Sequence, residues 1–365
     1  QSYFSSLQSV ATNPSNIPAR ESYLSSTQSL INRFQIFEQR LSEVRDGING
    51  EITNTVSSIN ALAEQISNIN GQIIQLGASG HSPNDLLDQR DQLVNELNKI
   101  VGVEVSVQDS GTFNISFGNG YSLVQGSKAN QLAAVKSSAD PARTTVAYVD
   151  DVAGNVEIPE KMITTGSLGG LLTFRTEDLD KARNTLNQMA LAFADSMNAQ
   201  HEAGFDANGD AGGKLFNFGS PAVLSNSKNG GSAVVTASVA DSKQVQATDY
   251  KLQFNGTDWT VTRTSDKTSF TMSPDASGNL SFDGLNVNVS GTANTKDSFT
   301  VKPVSNVIMN MDLAISDESK LAMASVQNGG ESDNRNGQKL LDLQNGKVVV
   351  GTKPSTMRMP LSSVP

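Results

Sequence analysis

Acidic and glycine-rich stretches are the first places in this sequence where chemistry is expected. Residues 206–210 (DANGD) resemble the start of a calcium-binding loop, but Ala211 stands where the motif needs glycine and Asn217 where it needs glutamate. Residues 120–128 fail as a phosphate-binding loop, because the second glycine is one residue too far away and the lysine does not follow it directly. The sequence therefore favours a polar turn over a calcium site at 206–210 and predicts no phosphate site.

The histidines and the lack of cysteine bear on nucleophilic and metal chemistry. His81 and His201 are the two histidines, and neither belongs to a serine, aspartate or metal-ligand pattern. Without cysteine, thiolate catalysis, disulfides and cysteine-based metal sites are excluded. We therefore predict no catalytic, cofactor-binding or metal-binding residues and no enzyme. A glycosidase-type carboxylate pair is the alternative left open, since only a fold brings such a pair together.

A short helical segment carries the most informative charges. Asp85, Asp88 and Asp91 share one side of a helix, which favours a solvated acidic face over a cation site. The helical angle of Arg90 falls inside the apolar arc, so we expect a paired or snorkelling arginine that fixes the packing register, with an exposed arginine as the alternative.

Composition bounds the class of protein. The 365 residues suggest two or three domains, and the hydrophobic fraction of 37% predicts a folded chain. The net charge of −10 arises from scattered residues, which argues against nucleic acid or membrane as partners. No apolar run is long enough to span a membrane, no leader precedes a cleavage site, and we expect an internal fragment of a longer protein.

The longest periodic pattern runs from Glu21 to Leu76. Apolar residues recur there at steps of three and four, which predicts one rod-like helix of roughly 80 Å. A second helix at 84–100 is expected to fold back antiparallel on it after a loop at Gly77–His81, with Ser82 and Pro83 starting the new helix. The predicted seam between the two helices is formed by Arg90, Leu86, Leu93, Leu97, Ile66, Ile69 and Ile73.

Alternating patterns follow the helices. Valines from 101 to 107 and apolar residues from 113 to 117 predict a β-hairpin within a meander at about 101–160. A helix from about Thr176 to Glu202 is expected to join the bundle as its third member. Residues 217–304 read as short strands between turns, including one at Asn255 and Gly256. Another helix is expected from Gly337 to Gln344.

The predicted fold is α+β and multidomain. An elongated antiparallel helical bundle carries the β meander, and an inserted antiparallel β-sandwich or barrel follows. The predicted divisions are a helical rod domain at 1–205, a β-rich outer domain at 206–304 and a return segment to the helical domain at 305–365. The long helices and scarce aromatic residues suit a subunit that assembles by side-by-side packing.

Several segments stand out in order along the chain: residues 84–93 (NDLLDQRDQL), 123–126 (LVQG), 166–172 (GSLGGLL), 198–201 (NAQH), 204–206 (GFD) and 332–337 (SDNRNG). Together they resemble the FlgK family of bacterial flagellar hook-associated proteins. The resemblance implies a structural subunit at the junction of hook and filament, lacking here the family's outermost terminal helices. It also implies copies of itself in a ring, hook protein, a neighbouring junction protein and an export chaperone as partners.

The resemblance further implies an extracellular location in the flagellum, reached by export without a cleavable signal peptide. Two other functions are weighed against it. An adhesin or binding module would bind its ligand through the β-rich domain, and a defined ligand would saturate that domain. An enzyme acting on cell-wall polymer would lose turnover on a single carboxylate change.

Overall fold

The structure is a computed structural model that describes residues 2–79, 84–330 and 332–346. Its α-helices are α1 (Ser2–Thr12), α2 (Ile17–Ala78), α3 (Asn84–Ile100), α4 (Gly166–Thr173), α5 (Asp180–Glu202) and α6 (Arg335–Asp342). One π-helical turn (Phe174–Leu179) joins α4 to α5, and 3₁₀ turns lie at Glu160–Met162 and Glu318–Lys320. No described helix is long and apolar enough to span a membrane.

Helix α2 begins earlier than its apolar pattern does. The side chain of Asn16 accepts a hydrogen bond from the backbone N–H of Ala19 at 2.8 Å, which is the bond of an N-cap residue. Pro18 fits the first turn, where its missing N–H has no helical partner to lose. The helix then continues through Gly47 and Gly50 to Ala78. The predicted loop at Gly77–His81 therefore starts too early, since Gly77 and Ala78 are helical. Its last two residues, Gly80 and His81, and the predicted start of the second helix, Ser82 and Pro83, lie outside the described residues.

The other helices differ from expectation mainly at their starts. The second helix has the predicted bounds, 84–100. The first helix, α1, has 11 residues. The helix expected from Thr176 is preceded without a break by α4 and the π-helical turn. The extra residue of the π turn shifts the pattern of apolar residues, so the sequence pattern does not show this continuation. Helix α6 starts at Arg335, two residues before the predicted Gly337.

The strands pair antiparallel throughout. In chain order they are β1 (Val103–Val107), β2 (Phe113–Phe117), β3 (Tyr121–Gln125), β4 (Lys128–Ala129), β5 (Leu132–Lys136), β6 (Thr144–Asp150), β7 (Gly154–Glu157), β8 (Phe216–Asn217), β9 (Ala222–Ser225), β10 (Val234–Val239), β11 (Tyr250–Phe254), β12 (Trp259–Arg263), β13 (Ser269–Met272), β14 (Asn279–Phe282), β15 (Leu285–Ser290), β16 (Ser298–Lys302) and β17 (Asp312–Leu313).

These strands form open sheets. The order is β1-β2-β3-β4 and β5-β6-β7 in the meander region. The later strands form a sheet of order β13-β12-β11-β16-β9, a sheet of order β10-β15-β14 and the pair β17-β8. The α+β multidomain prediction is confirmed. Of the two alternatives for the β-rich part, the barrel is wrong, since no sheet among the described residues closes on itself.

The chain divides into two compact units. The continuous unit comprises Ser42–Asp180, and the discontinuous unit comprises Gln1–Leu41 with Lys181–Pro365. In the discontinuous unit one apolar cluster includes Tyr23 of α2, Phe193 of α5 and Trp259 of β12. Tyr3 of α1 donates to or accepts from Tyr23 at 2.7 Å between the hydroxyl oxygens. A single core thus supports both helices and strands of that unit.

Candidate functional site

Arg90 is buried in the continuous unit, with 4% of its surface exposed. Its Nη1 donates to the carbonyl oxygen of Gly111 at 2.7 Å, and its guanidinium carbon lies 3.3 Å from the ring centroid of Phe113. The ion pair with Asp91, 3.2 Å between Nη2 and Oδ1, is weak because Asp91 is 57% exposed. Arg90 therefore attaches α3 to the turn between β1 and β2.

The remaining residues predicted for the seam differ in burial. Leu97, Ile66, Ile69 and Ile73 are buried, whereas Leu86 and Leu93 are partly buried. The predicted seam between α2 and α3 stays a prediction.

The acidic residues of α3, Asp85, Asp88 and Asp91, are exposed. In the described ranges no cluster of three or more histidine, aspartate or glutamate side chains is placed to hold a metal ion.

Three asparagines of α2 bind the backbone of the β meander. Asn60 donates from Nδ2 to the carbonyl of Leu132 at 2.8 Å and accepts from the N–H of the same residue at 2.9 Å. Asn70 makes the same paired contact with Phe113, at 2.9 and 3.3 Å. Asn49 donates to the carbonyl of Ala142 and accepts from the N–H of Thr144. We call these three residues the asparagine clamps.

The clamps lie on one face of the helix. They are 11 and 10 residues apart, which is close to three turns of about 3.6 residues each. Each amide pairs with both a backbone donor and a backbone acceptor of the meander. The clamps thereby fix the position of each strand along α2.

The π-helical turn contains a fully buried arginine, Arg175, which lies in a cluster of charged side chains in the continuous unit. Arg175 has no exposed surface, and its guanidinium donates to the carbonyl of Thr144 at 2.6 Å and to Glu160 at 2.5 Å. Arg143 pairs with Asp180 and lies 3.7 Å from Glu160. We call Arg143, Glu160, Arg175 and Asp180 the arginine cluster.

The two arginines of this cluster have opposite pKa shifts. Burial, and then repulsion from Arg143, lower the pKa of Arg175. Burial would also lower the pKa of Arg143, but attraction to Asp180 and Glu160 outweighs it and holds that pKa above its usual value. Since two arginines face two carboxylates, the cluster has no net charge.

A second buried ion pair lies in the discontinuous unit. Glu38 of α2 has no exposed surface and accepts from Nε of Arg183 in α5 at 3.1 Å, with a further bond from Nη2. Asn187, also on α5, donates to Glu38 at 2.9 Å and accepts from the N–H of Ile308 at 3.1 Å. This ion pair joins α2 to α5, as the third helix was expected to pack.

A lysine satisfies the carboxylates of the stretch that resembled a calcium loop. Asp206 accepts from the N–H of Asn208 and Asp210 at 2.9 and 3.0 Å, which closes a polar turn. Nζ of Lys320 lies 3.1 Å from Asp206 and 3.2 Å from Asp210. The ammonium group thus stands between the two carboxylates.

His201 is completely buried and bonded at both ring nitrogens. Nε2 accepts from the N–H of Ala322 at 2.9 Å, so Nδ1 carries the hydrogen and donates to the carbonyl of Gly213 at 2.7 Å. Burial lowers the pKa of His201. A neutral imidazole in this position ties the end of α5 to two loops, and a proton on Nε2 would remove one of the two bonds.

One glycine of the 166–172 segment has a clear steric role. Gly166 has φ +71°, and a Cβ at this position would lie 2.4 Å from the carbonyl oxygen of Ile100. Only glycine fits both the backbone conformation and this contact. Gly166 therefore allows α4 to start directly against the end of α3.

One cavity in the discontinuous unit has a volume of about 630 Å³. Leu191, Phe218 and Val239 supply apolar walls, and Asp195 accepts from the hydroxyl of Ser242 at 2.6 Å. No histidine is among the lining residues, and the second acid of the lining, Asp241, accepts from the N–H of Lys243 at 3.0 Å and from Nε2 of Gln244 at 2.8 Å. The polar clusters described above hold elements of the fold together.

Sequence reasoning identified Arg90 but missed the other buried charges. Glu38 lies between Phe34 and Leu41 within the apolar stripe of α2, so the helical-angle test that singled out Arg90 applies equally to it. The clamp asparagines left a weaker signal, a repeat of 10 and 11 residues. Arg175 and Arg143 left none, because a π turn and a strand bring them together.

Comparisons with known proteins agree along most of the chain. A family model described as the helical domain of flagellar hook-associated protein FlgK matches residues 1–216, and one described as a D2-like domain of flagellar hook-associated protein 1 matches residues 224–303. Flagellar hook-associated protein 1 of Escherichia coli is 57% identical over 97% of this chain, and that of Salmonella typhimurium is 56% identical over 97%. The chain spans 65% and 66% of the lengths of these two relatives.

A solved structure matches as well. The flagellar hook junction protein FlgK from Burkholderia pseudomallei superposes with a TM-score of 0.84 at 36% identity, covering 88% of this chain and 59% of that one.

Proposed function

Because this chain belongs to the family of flagellar hook-associated protein FlgK, we propose that it is part of a structural subunit that joins hook to filament in the bacterial flagellum. The observation that carries the proposal is the similarity to flagellar hook-associated protein 1 over 97% of the chain. The resemblance read from the sequence segments is thereby confirmed at the level of the family.

The buried polar groups support a mechanical role. Side chains that enzymes use for chemistry are here engaged in structural contacts: His201 with backbone groups, Glu38 with Arg183, and Arg175 with Glu160. Buried pairs of this kind fix one arrangement of helices, because any shift leaves a charge without its partner. A structural subunit needs such definite packing. We accordingly propose no catalytic activity.

The division into working parts is also a proposal. Residues 1–205 form a helical rod domain that packs side by side with neighbouring subunits, with the α2–α3 seam around Arg90 fixing its register. Residues 206–304 form the outer domain, and residues 305–365 return to the helical domain. The match of a D2-like family model to 224–303 supports a separate outer domain.

The proposed partners follow from this place in the flagellum. They are further copies of the full-length protein in a ring, hook protein, the neighbouring junction protein and an export chaperone. The proposed location is outside the cell, between hook and filament. The names of the relatives, hook-associated protein and hook junction protein, support the hook as one partner.

Electron microscopy of bacteria lacking the full-length gene tests the function. We expect hooks without filaments, and filaments restored when the intact gene returns. Normal filaments on the deleted strain would reject the proposal. A second strain in which residues 217–304 are deleted from the gene separates assembly from the outer domain, since side-by-side packing by the helical domain alone predicts hooks that still bear filaments.

A further inference from the structure

Asparagine followed by glycine is unusually frequent in this chain. The pair occurs nine times, at Asn49, Asn70, Asn119, Asn208, Asn229, Asn255, Asn328, Asn336 and Asn345. All nine lie within the described residues. They share one chemical liability, because the backbone nitrogen after an asparagine is a nucleophile placed near an amide carbon, and glycine hinders its approach least.

The reaction replaces the side-chain amide. The backbone nitrogen bonds to Cγ, the bond from Cγ to Nδ2 breaks, and the amide leaves as ammonia with the proton of the attacking N–H. Water then opens the cyclic imide at either carbonyl and leaves aspartate or isoaspartate. The step therefore needs a free backbone N–H after the asparagine, a leaving amide that nothing holds, and stabilisation of the negative charge on Oδ1.

Eight of the nine glycine N–H groups are occupied. Those within helices α2 and α6 take part in helical or capping bonds, and Gly337 donates to the carbonyl of Met323. Gly120, Gly209, Gly329 and Gly346 donate to backbone carbonyls three residues earlier in their turns. Gly230 donates to Oδ1 of Asp297 at 2.8 Å. Among the described residues Gly256 is the exception, since its N–H donates to no protein group.

The side chain of Asn255 meets the other two conditions. Its Oδ1 accepts from the backbone N–H groups of Thr257 and Asp258, both at 2.9 Å. Two N–H donors on one carbonyl oxygen are the arrangement that stabilises an oxyanion in acyl-transfer enzymes. Its Nδ2 makes no hydrogen bond within the described chain, and the residue is exposed in the loop between β11 and β12.

Asn229 offers the opposite arrangement in the same part of the chain. Its Nδ2 donates to the carbonyl of Ser298 at 2.9 Å and to the hydroxyl of Ser225 at 3.1 Å. Its Oδ1 accepts from the N–H of Ser298 at 2.8 Å, and the following glycine is bound to Asp297. Attack at Asn229 therefore requires local opening of the structure.

We infer that Asn255 is a site of spontaneous deamidation in the folded protein, whereas Asn229, an identical dipeptide, is protected by the fold. The turn around Asn255 favours the reaction through the two N–H groups on Oδ1 and the free N–H of Gly256. The aspartate product keeps an acceptor for both N–H groups. The isoaspartate product adds a methylene to the backbone of a loop closed by the Phe254–Trp259 pair, and so shifts that pairing.

Trypsin separates the two sites cleanly. Cleavage after Lys251 and Arg263 releases residues 252–263, and cleavage after Lys228 and Lys243 releases residues 229–243. Each peptide contains one asparagine, so its mass reports one site. The folded protein is incubated in mildly alkaline buffer, samples are digested over time, and the fraction of each peptide converted from amide to acid is measured by mass spectrometry.

In the folded protein we expect conversion at Asn255 to exceed that at Asn229 by a factor on the order of 100, as an occupied oxyanion site and a free nucleophile imply. In denaturant the two rates should converge, because both sites then have the same dipeptide chemistry. Equal rates in the folded protein, or conversion at Asn255 that is slower when folded than in denaturant, would overturn the inference. The result is independent of any role in the flagellum.

Discussion

Replacing Arg90 by alanine removes the contact that attaches α3 to the β1–β2 turn. The guanidinium group is buried, donates to the carbonyl of Gly111 at 2.7 Å and lies over the ring of Phe113. The substitution therefore leaves a buried carbonyl without its donor and the ring without its covering cation.

The expected cost follows from these contacts. A hydrogen bond to a charged group contributes about 1.5–3 kcal/mol, and a desolvated cation–π contact contributes about 2 kcal/mol. Both contacts belong to one guanidinium group, so the contributions are not additive. The ion pair with exposed Asp91 adds roughly 0–1 kcal/mol at most. We expect a total of about 2–4 kcal/mol for Arg90→Ala.

Hydrogen exchange of the hairpin amides is the suitable assay, because a chain with two compact units need not unfold in one step. The N–H groups of Gln108 and Gly111, which donate within the turn, report its opening. A loss of about 2–4 kcal/mol corresponds to exchange that is roughly 30-fold to 900-fold faster. Arg90→Met keeps most of the aliphatic side chain and separates loss of packing from loss of charge.

Asp91→Asn is the matched control. It removes the exposed partner of Arg90. The free energy of opening of the turn, obtained from hydrogen exchange, should change by less than about 1 kcal/mol. If Arg90→Ala and Arg90→Met both leave the protection of the turn at the native level, then neither the Gly111 bond nor the Phe113 contact stabilises the hairpin, and the reasoning is wrong.

Three further predictions concern Glu38, His201 and Gly166. Glu38→Gln should lower the free energy of unfolding of the discontinuous unit by about 3 kcal/mol, because it leaves Arg183 unpaired. In denaturant melts, Glu38→Met combined with Arg183→Met should lower that free energy by less than the sum of the two single changes. Lowering the pH below about 6.5 should destabilise the same unit by up to about 1.4 kcal/mol per pH unit, since the unfolded state takes up the His201 proton before the folded state, whose pKa is lower, does. His201→Gln should reduce that slope, and an unchanged slope would assign it to other groups. Gly166→Ala should cost at least about 2 kcal/mol because of the positive φ and the Ile100 contact, whereas Gly170→Ala, which meets nothing within 4 Å, should be neutral or stabilising in thermal melts.

The sequence allowed local structure to be predicted where one pattern governs it. Helix α3 has the predicted bounds because its apolar period and its flanking residues agree. The hairpin of β1 and β2 followed from strict alternation. The start of the helix before Thr176 was misjudged, since a π turn breaks the 3.6-residue period that sequence reading assumes.

The buried polar site was predictable only in part. Arg90 was identifiable because a charge falls within an apolar arc. The partner of Arg90 was not, since Gly111 contributes a backbone carbonyl that no sequence pattern marks. The role of Lys320 beside Asp206 depends on residues more than a hundred positions apart, which the fold alone brings together. Long-range contacts of this kind require the structure.

The asparagine clamps have a consequence for the conditions under which the protein works. An amide carries no charge and does not titrate, so its bonds to the backbone are nearly indifferent to ionic strength and acidity, whereas exposed ion pairs weaken as salt screens them. The hydrogen bonds that attach the meander to α2 through Asn49, Asn60 and Asn70 thus change little in strength with salt concentration or pH. The position of each strand along the helix should therefore be the same at low and high salt.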